Sequence, residues 1–197
     1  MMTDFEKAYN DMKQFGTSVP KIENLAVRNA KEQLRDGIAY ILKKKNAKEP
    51  LKWISAYDVI SDWLTCNYGR GLFMHGDCGL GKSLIGMYVI PAIYYAQLGK
   101  VVTVASVTDM NAKPDDMLKK RFISIDDIGT EDESVVYGNR RLVFPEIIDN
   151  AEKKGNIVII STNLNKAQLI EKYGNRTLER IISTTKRVEF KGESLRS

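Results

Sequence analysis

Gly76, Gly81, Lys82 and Ser83 stand at the spacing G-x-x-x-x-G-K-S, inside the stretch 76-GDCGLGKS-83. A loop this dense in glycine costs chain entropy, so it calls for a use. Glycines let successive backbone N–H groups point into one concavity, which suits a chain of phosphates. The loop follows the apolar run 72-LFM-74 and opens a helical pattern, so a helix N-terminus adds its dipole. The nucleotide-binding set is therefore Gly76, Asp77, Cys78, Gly79, Leu80, Gly81, Lys82, Ser83 and Leu84. Lys82 can reach the β- and γ-phosphates, and the Ser83 hydroxyl can ligate Mg²⁺.

A second constellation is 121-RFISIDDIG-129, an apolar strand that ends in two adjacent carboxylates. Asp126 is placed to hold Mg²⁺, directly or through water, and Asp127 to act as general base on the attacking water. A third is 157-IVIISTNLN-165. If its strand lies beside both the phosphate-loop strand and the acidic strand, Asn163 points at the γ-phosphate and can orient that water; alone, an Asn after a strand is a turn residue. In a fourth, 174-GNRTLERIIS-183, Arg176 and Arg180 share a helix face. They either pair with Glu171 or Glu179 at helical spacing, or one of them enters a neighbouring subunit's site as an arginine finger. His75 and Cys78 read as structural and variable positions, respectively.

These groups need a scaffold, and the chain alternates strands and helices after 69-GRG-71. Strand candidates are 72–75, 101–107, 122–126, 157–161 and 186–190. Several are almost continuously apolar, as buried parallel strands are. Such alternation predicts a three-layer α/β fold with a five-stranded parallel sheet. Pro91, inside the helical pattern 82–97, should kink that helix or end it early. Before the sheet, helices are expected over 4–15, 22–45 and 56–67. The domain division is a helical N-terminal extension over 1–68 and a nucleotide-binding core over 69–197.

The chain of 197 residues suits one domain, and its 43% hydrophobic and 28% charged residues suit a soluble globular protein. No apolar run is long enough to span a bilayer, and no signal core opens the chain, so a cytoplasmic location without membrane contact is expected. Two cysteines are too few for a disulfide framework or a four-cysteine zinc site. The net charge of +5 permits an acidic partner such as DNA. The basic run 43-KKK-45 suits a helix C-terminal dipole.

Together, the phosphate loop, 125-IDDIG-129, 161-STNL-164, 173-YGNRTLERI-181 and the closing 192-GESLR-196 resemble the AAA+ ATPases of the DnaC/DnaI helicase-loader and IstB transposition-helper group. The resemblance covers about 70–197. It implies an AAA+ P-loop (ASCE) core without a C-terminal lid, of a size that suits a phage or mobile-element version. It implies Lys82 and Ser83 as Walker A, Asp126 and Asp127 as Walker B, and Asn163 as sensor 1. Arg180 becomes the trans-acting finger, supported by Arg176, and a homo-oligomer assembles through it. Gly192, Ser194 and Arg196 match the closing motif. The implied ligands are ATP and Mg²⁺, with a replicative helicase and single-stranded DNA as partners.

Three departures stand out. The segment 108–121 is short where DNA-binding members of the group carry extra helices. The N-terminal part lacks zinc cysteines. Ala151 stands where relatives often have an arginine, which implies weaker subunit contacts. The function expected is that of an ATP-hydrolysing, DnaC-like helicase loader in DNA replication, a weak ATPase that depends on assembly. The alternatives are an IstB-like transposition helper, a nucleotide-gated adaptor with vestigial hydrolysis, and a P-loop kinase. The kinase is disfavoured because little room for an acceptor pocket follows Asn163.

Overall fold

A computed structural model describes residues 2–16, 19–47, 51–130, 134–136 and 139–194, with the backbone alone over 134–136 and 139–141. Five parallel strands form the central sheet: β1 (Gly71–Gly76), β2 (Thr103–Ser106), β3 (Phe122–Ile128), β6 (Ile157–Thr162) and β7 (Thr185–Phe190). Their order is β2-β3-β6-β1-β7. A small antiparallel pair, β4 (Ser134–Val136) and β5 (Asn139–Arg141), lies outside the sheet and was not foreseen.

Alternation along the inner strands builds the layers. Leu72 and Met74 of β1 and Ile157 and Ile159 of β6 enter one core cluster, while Phe73, Val158 and Ile160 enter the other. Successive side chains of a strand face opposite ways, so a strand covered on both sides must be apolar throughout. The first cluster lies under α2 (Ala30–Lys44), α3 (Ser55–Thr65) and the helix after the phosphate loop. The second lies mainly under α6 (Val107–Ala112), α8 (Val143–Lys154) and α10 (Asn175–Thr184). The fold is the three-layer α/β P-loop arrangement expected. Among the described residues, no helix is long and apolar enough to cross a membrane.

The helix expected over 22–45 begins only at Ala30. Upstream, backbone groups are used across the chain: Leu25 N–H donates to Asn67 Oδ1 at 2.8 Å, and Val27 N–H donates to the Leu64 carbonyl at 2.9 Å. Asn29, at φ +50°, then turns the chain into the helix. The apolar spacing of Leu25 and Ala26 imitates a helix, but tertiary hydrogen bonds claim the segment. Upstream again, α1 (Asp4–Met12) is closed by a capping box between Thr3 and Glu6 and has no buried residue.

Pro91 neither ends nor breaks its helix. The run is α4 (Lys82–Leu84), a π-helical turn over Ile85–Val89, then α5 (Ile90–Leu98). Ile90 N–H donates to the Ile85 carbonyl, one residue further back than in an α-helix. In that register Gly86 C=O would receive the N–H that Pro91 lacks. Ser124 of β3 fills the gap, its hydroxyl donating to Gly86 C=O at 2.7 Å. Gly86 lets the helix come this close, since a Cβ there would stand 3.1 Å from Met74 Cε. The widened turn thus satisfies an orphan carbonyl and locks the phosphate-loop helix to the acidic strand.

The short segment 108–121 carries α7 (Pro114–Leu118), a helix of five residues that Pro114 opens. It is preceded by the short α6, which begins at Val107, the last position of the predicted strand 101–107, because a capping box between Ser106 and Asp109 turns the chain into helix there. α9 (Lys166–Tyr173) follows β6, and a similar box from Asn165 to Gln168 starts it.

Candidate nucleotide site

The site sits where β1, β3 and β6 end. β6 pairs with β1 on one side, Met74 opposite Ser161, and with β3 on the other, Ile125 opposite Ile160. The condition for Asn163 to approach the phosphate loop and the acidic strand together is therefore met. Ligands of open parallel sheets bind outside the carboxyl ends of the strands.

The phosphate loop is shaped by its glycines. Gly76 has φ +111°, and a Cβ on it would lie 2.2 Å from Phe190 C=O. Any side chain there would push β7 away. Gly81 has φ +90°, over the Tyr57 ring, whose hydroxyl donates to Leu80 C=O at 3.0 Å. Burial pushes the Tyr57 phenol up to about 12, so it stays a donor. Asp77 accepts from Gly192 N–H at 3.0 Å, and Ser194 packs on Gly79. The closing motif therefore lies against the loop, while Arg196 falls outside the described residues.

Lys82 is 7% exposed, and its ammonium donates to Gly76 C=O at 2.8 Å and Asp77 C=O at 2.6 Å. Burial pulls its pKa below the usual lysine value, against the opposing pull of Cys78, Asp77, Asp127 and Asp126. Its partners are neutral dipoles, which a phosphate oxygen can replace. Ser83 and Leu84 continue the first helical turn and are part-buried; Cys78 is free and exposed.

The acidic pair is organised by a residue that the sequence did not single out. Ser161 donates its hydroxyl to Asp126 Oδ1 and accepts Asp127 N–H at 3.0 Å. Asp127 sits in the left-handed region at φ +57°, at the irregularity between Ile125 and Ile128 in the β3–β6 ladder. The strand therefore does not end at Asp126 but runs on to Ile128. The bulge aims the adjacent carboxylates differently. Asn163 Nδ2 donates to Asp127 Oδ1 at 3.0 Å, so the expected sensor and the expected base already touch. The signal for Ser161 was the polar triplet 161-STN-163 closing an otherwise apolar strand.

Among the described residues, no three His, Cys, Asp or Glu side chains gather to hold a metal. Asp126 and Ser83 fit Mg²⁺ of the kind that arrives with phosphates and takes one or two protein ligands. Beside the loop, a cleft of about 350 Å³ is lined by Lys52, Ile54, Leu80, Lys191 and the turn from Gly192 to Ser194.

Arg180 lies elsewhere in the molecule's bonding. It pairs with Asp149 and, at 2.9 Å, with Glu152, both on α8 of the same chain, and its side chain is 15% exposed. These are not the helical neighbours Glu171 or Glu179; Glu179 instead accepts from Asn175 at 2.9 Å. Arg176 is exposed and makes no ion pair with a described residue. Ala151 is 4% exposed and packs in the second core cluster. It is a core position, so its small size serves packing, and the expectation that it weakens a subunit surface is corrected.

No protein-family model matches the sequence. No curated protein matches it either. Solved structures do share the fold. A DnaI structure is 21% identical at TM-score 0.56, over 87% of this chain and 96% of that one. The DnaC helicase loader is 20% identical at TM-score 0.50, over 62% and 79%. AMPPCP-bound DnaA from Aquifex aeolicus is 16% identical at TM-score 0.53, over 70% of this chain and 46% of that one. The chain thus shares the three-layer α/β P-loop fold of the DnaC, DnaI and DnaA structures.

Proposed function

We propose that the protein is an ATP-hydrolysing, DnaC-like helicase loader acting in DNA replication in the cytoplasm. One observation carries the ATPase reading: Lys82, the pair Asp126 and Asp127, and Asn163 converge at the ends of three adjacent strands. The β- and γ-phosphates would displace the two carbonyls that Lys82 now holds. The cleft beside Leu80 offers room for the base and sugar. Ser83 and Asp126 would hold Mg²⁺ together with the triphosphate, and the ion would screen phosphate charge there. Asp127 accepts a proton from the attacking water, and Asn163 orients that water while holding Asp127. The likeness to DnaC and DnaI supports the loader role, and the AMPPCP of the DnaA structure supports ATP as ligand.

Arg180 of one protomer would complete the site of the next, with Arg176 supporting it, in a head-to-tail homo-oligomer. For this, Arg180 must leave Asp149 and Glu152. The N-terminal part, 1–68, would meet the helicase, chiefly through α1, whose Phe5 is 77% exposed. A second DnaA structure of similar fold, bound to AMPPCP and single-stranded DNA, supports DNA as a second partner.

A second reading, the nucleotide-gated adaptor with vestigial hydrolysis, is favoured by that same pairing of Arg180 within its own chain. The test is steady-state ATP hydrolysis over a range of protein concentrations, with and without single-stranded DNA, beside Asp127→Asn. Turnover that climbs with concentration and is lost in Asp127→Asn supports the ATPase. ATP binding without turnover at any concentration would leave the adaptor.

A further inference from the structure

The helix that begins in the phosphate loop is uncharged from Ser83 to Gly99. Its outer face nevertheless carries two large exposed rings, Tyr88 at 47% and Tyr95 at 68%. Beside it runs α2, which packs so closely that a Cβ on Gly37 would stand 2.6 Å from Val89 Cγ1. Tyr40 of α2 is 59% exposed. The lysines that end α2 lean over these rings: Lys45 Nζ lies 4.7 Å from the Tyr88 centroid, and Lys44 Nζ 5.6 Å from that of Tyr40. The acids of α2, Glu32 and Asp36, stand in its first half.

Lysines at a helix C-terminus are explained by the dipole. A single exposed tyrosine needs no explanation, but three of them gathered on two adjacent helices form an exposed aromatic patch, which the dipole does not account for. Rings open to solvent beside clustered ammonium groups offer a base a stacking face and its phosphate a counter-charge. The +5 net charge acts in the same direction.

We propose that Tyr40, Tyr88, Lys44 and Lys45 form a binding surface for single-stranded nucleic acid, on the outer side of the phosphate-loop helix. The surface is distinct from the short 108–121 segment and does not depend on ATP hydrolysis. Bases stack on the two rings while the lysines follow the backbone.

The test uses the full chain without nucleotide and follows the anisotropy of fluorescein-labelled oligo-dT and oligo-U, with a labelled DNA duplex as a third arm. Wild type should bind the single strands, with an affinity that falls steeply with salt. The pair Tyr40→Ala and Tyr88→Ala should weaken binding about tenfold or more, and the same pair changed to Phe should keep it, since the ring face remains. Lys44→Glu with Lys45→Glu should weaken binding and flatten the salt dependence. The first two arms separate DNA from RNA as the strand bound. All four positions are exposed, so a preserved Tm shows that the variants are folded. No binding by wild type at low salt overturns the proposal. So does unchanged binding in the alanine pair, or equal binding of duplex with the same loss, which would mean charge without stacking.

Discussion

Two cations that an ATPase of this fold would aim at phosphate are held in opposite ways. Lys82 is buried and rests on two backbone carbonyls, so its charge is poorly compensated and its proton is bound less tightly than usual. His75, on β1 seven residues before it, is treated alike: burial lowers its pKa, with Glu189 resisting. Arg180 instead rests between two carboxylates on a neighbouring helix. The Lys82 ammonium thus touches neutral carbonyls, with the carboxylates of Asp77, Asp126 and Asp127 acting only from a distance, whereas the Arg180 guanidinium is already neutralised in contact. In the proposed ATPase, an incoming triphosphate would improve the first environment at once. The second would have to exchange one set of anions for another, so assembly and not nucleotide alone would control it.

The strongest way to break this contrast is Lys82→Ala. It should remove nucleotide binding and reduce hydrolysis to about one hundredth of wild type or less, measured by fluorescent-nucleotide titration and phosphate release. Retained turnover would mean that the loop does not hold phosphate.

Freeing the arginine sharpens the contrast. Asp149→Asn with Glu152→Gln removes the competing charges. With its carboxylates 32% and 43% exposed, such an ion pair is worth about 1 kcal/mol, so turnover at low protein concentration should rise about fivefold. Adding Arg180→Ala should abolish the gain. A rise that survives in the triple variant would show that Arg180 was not what the carboxylates restrained.

Ser124→Ala probes the link between the phosphate-loop helix and β3. It leaves Gly86 C=O without its donor in a buried place and should cost about 1–3 kcal/mol in urea unfolding. Because it touches no charge, nucleotide affinity should change less than stability does.

The smallest effect is that of pH. The folded state keeps His75 neutral, while the unfolded chain takes its proton near the ordinary value of about 6.5. The unfolded state therefore binds more protons as pH falls, and the stability contributed above that pH is lost on going below it. His75→Gln should flatten the Tm-versus-pH curve between about 7 and 5. An unchanged slope would assign the acid sensitivity to other groups.

Much of this was legible in the residues. The apolar runs 72-LFM-74, 122-FISI-125 and 157-IVII-160 read as strands covered on both sides, and the glycine loop marked which end of them is the candidate site. Local signals failed where long-range bonds took over. Leu25 and Ala26 keep helical spacing, yet their segment is not helical, and Asn67 and Leu64 accept its N–H groups. Pro91 looked like a break, but the carbonyl it orphans is met by Ser124, a residue on another strand.

The sequence by itself determined the fold class, the phosphate loop and the carboxylate pair, because each is written in contiguous residues whose geometry is local. Tertiary structure alone decided that Ser161 ties Asp126 to Asp127, that Asn163 reaches Asp127, and that Arg180 pairs with Asp149 and Glu152. Those partners lie about thirty residues or more apart along the chain. Sheet order and helix packing bring them together, and no periodicity in one segment records which distant side chain it will meet.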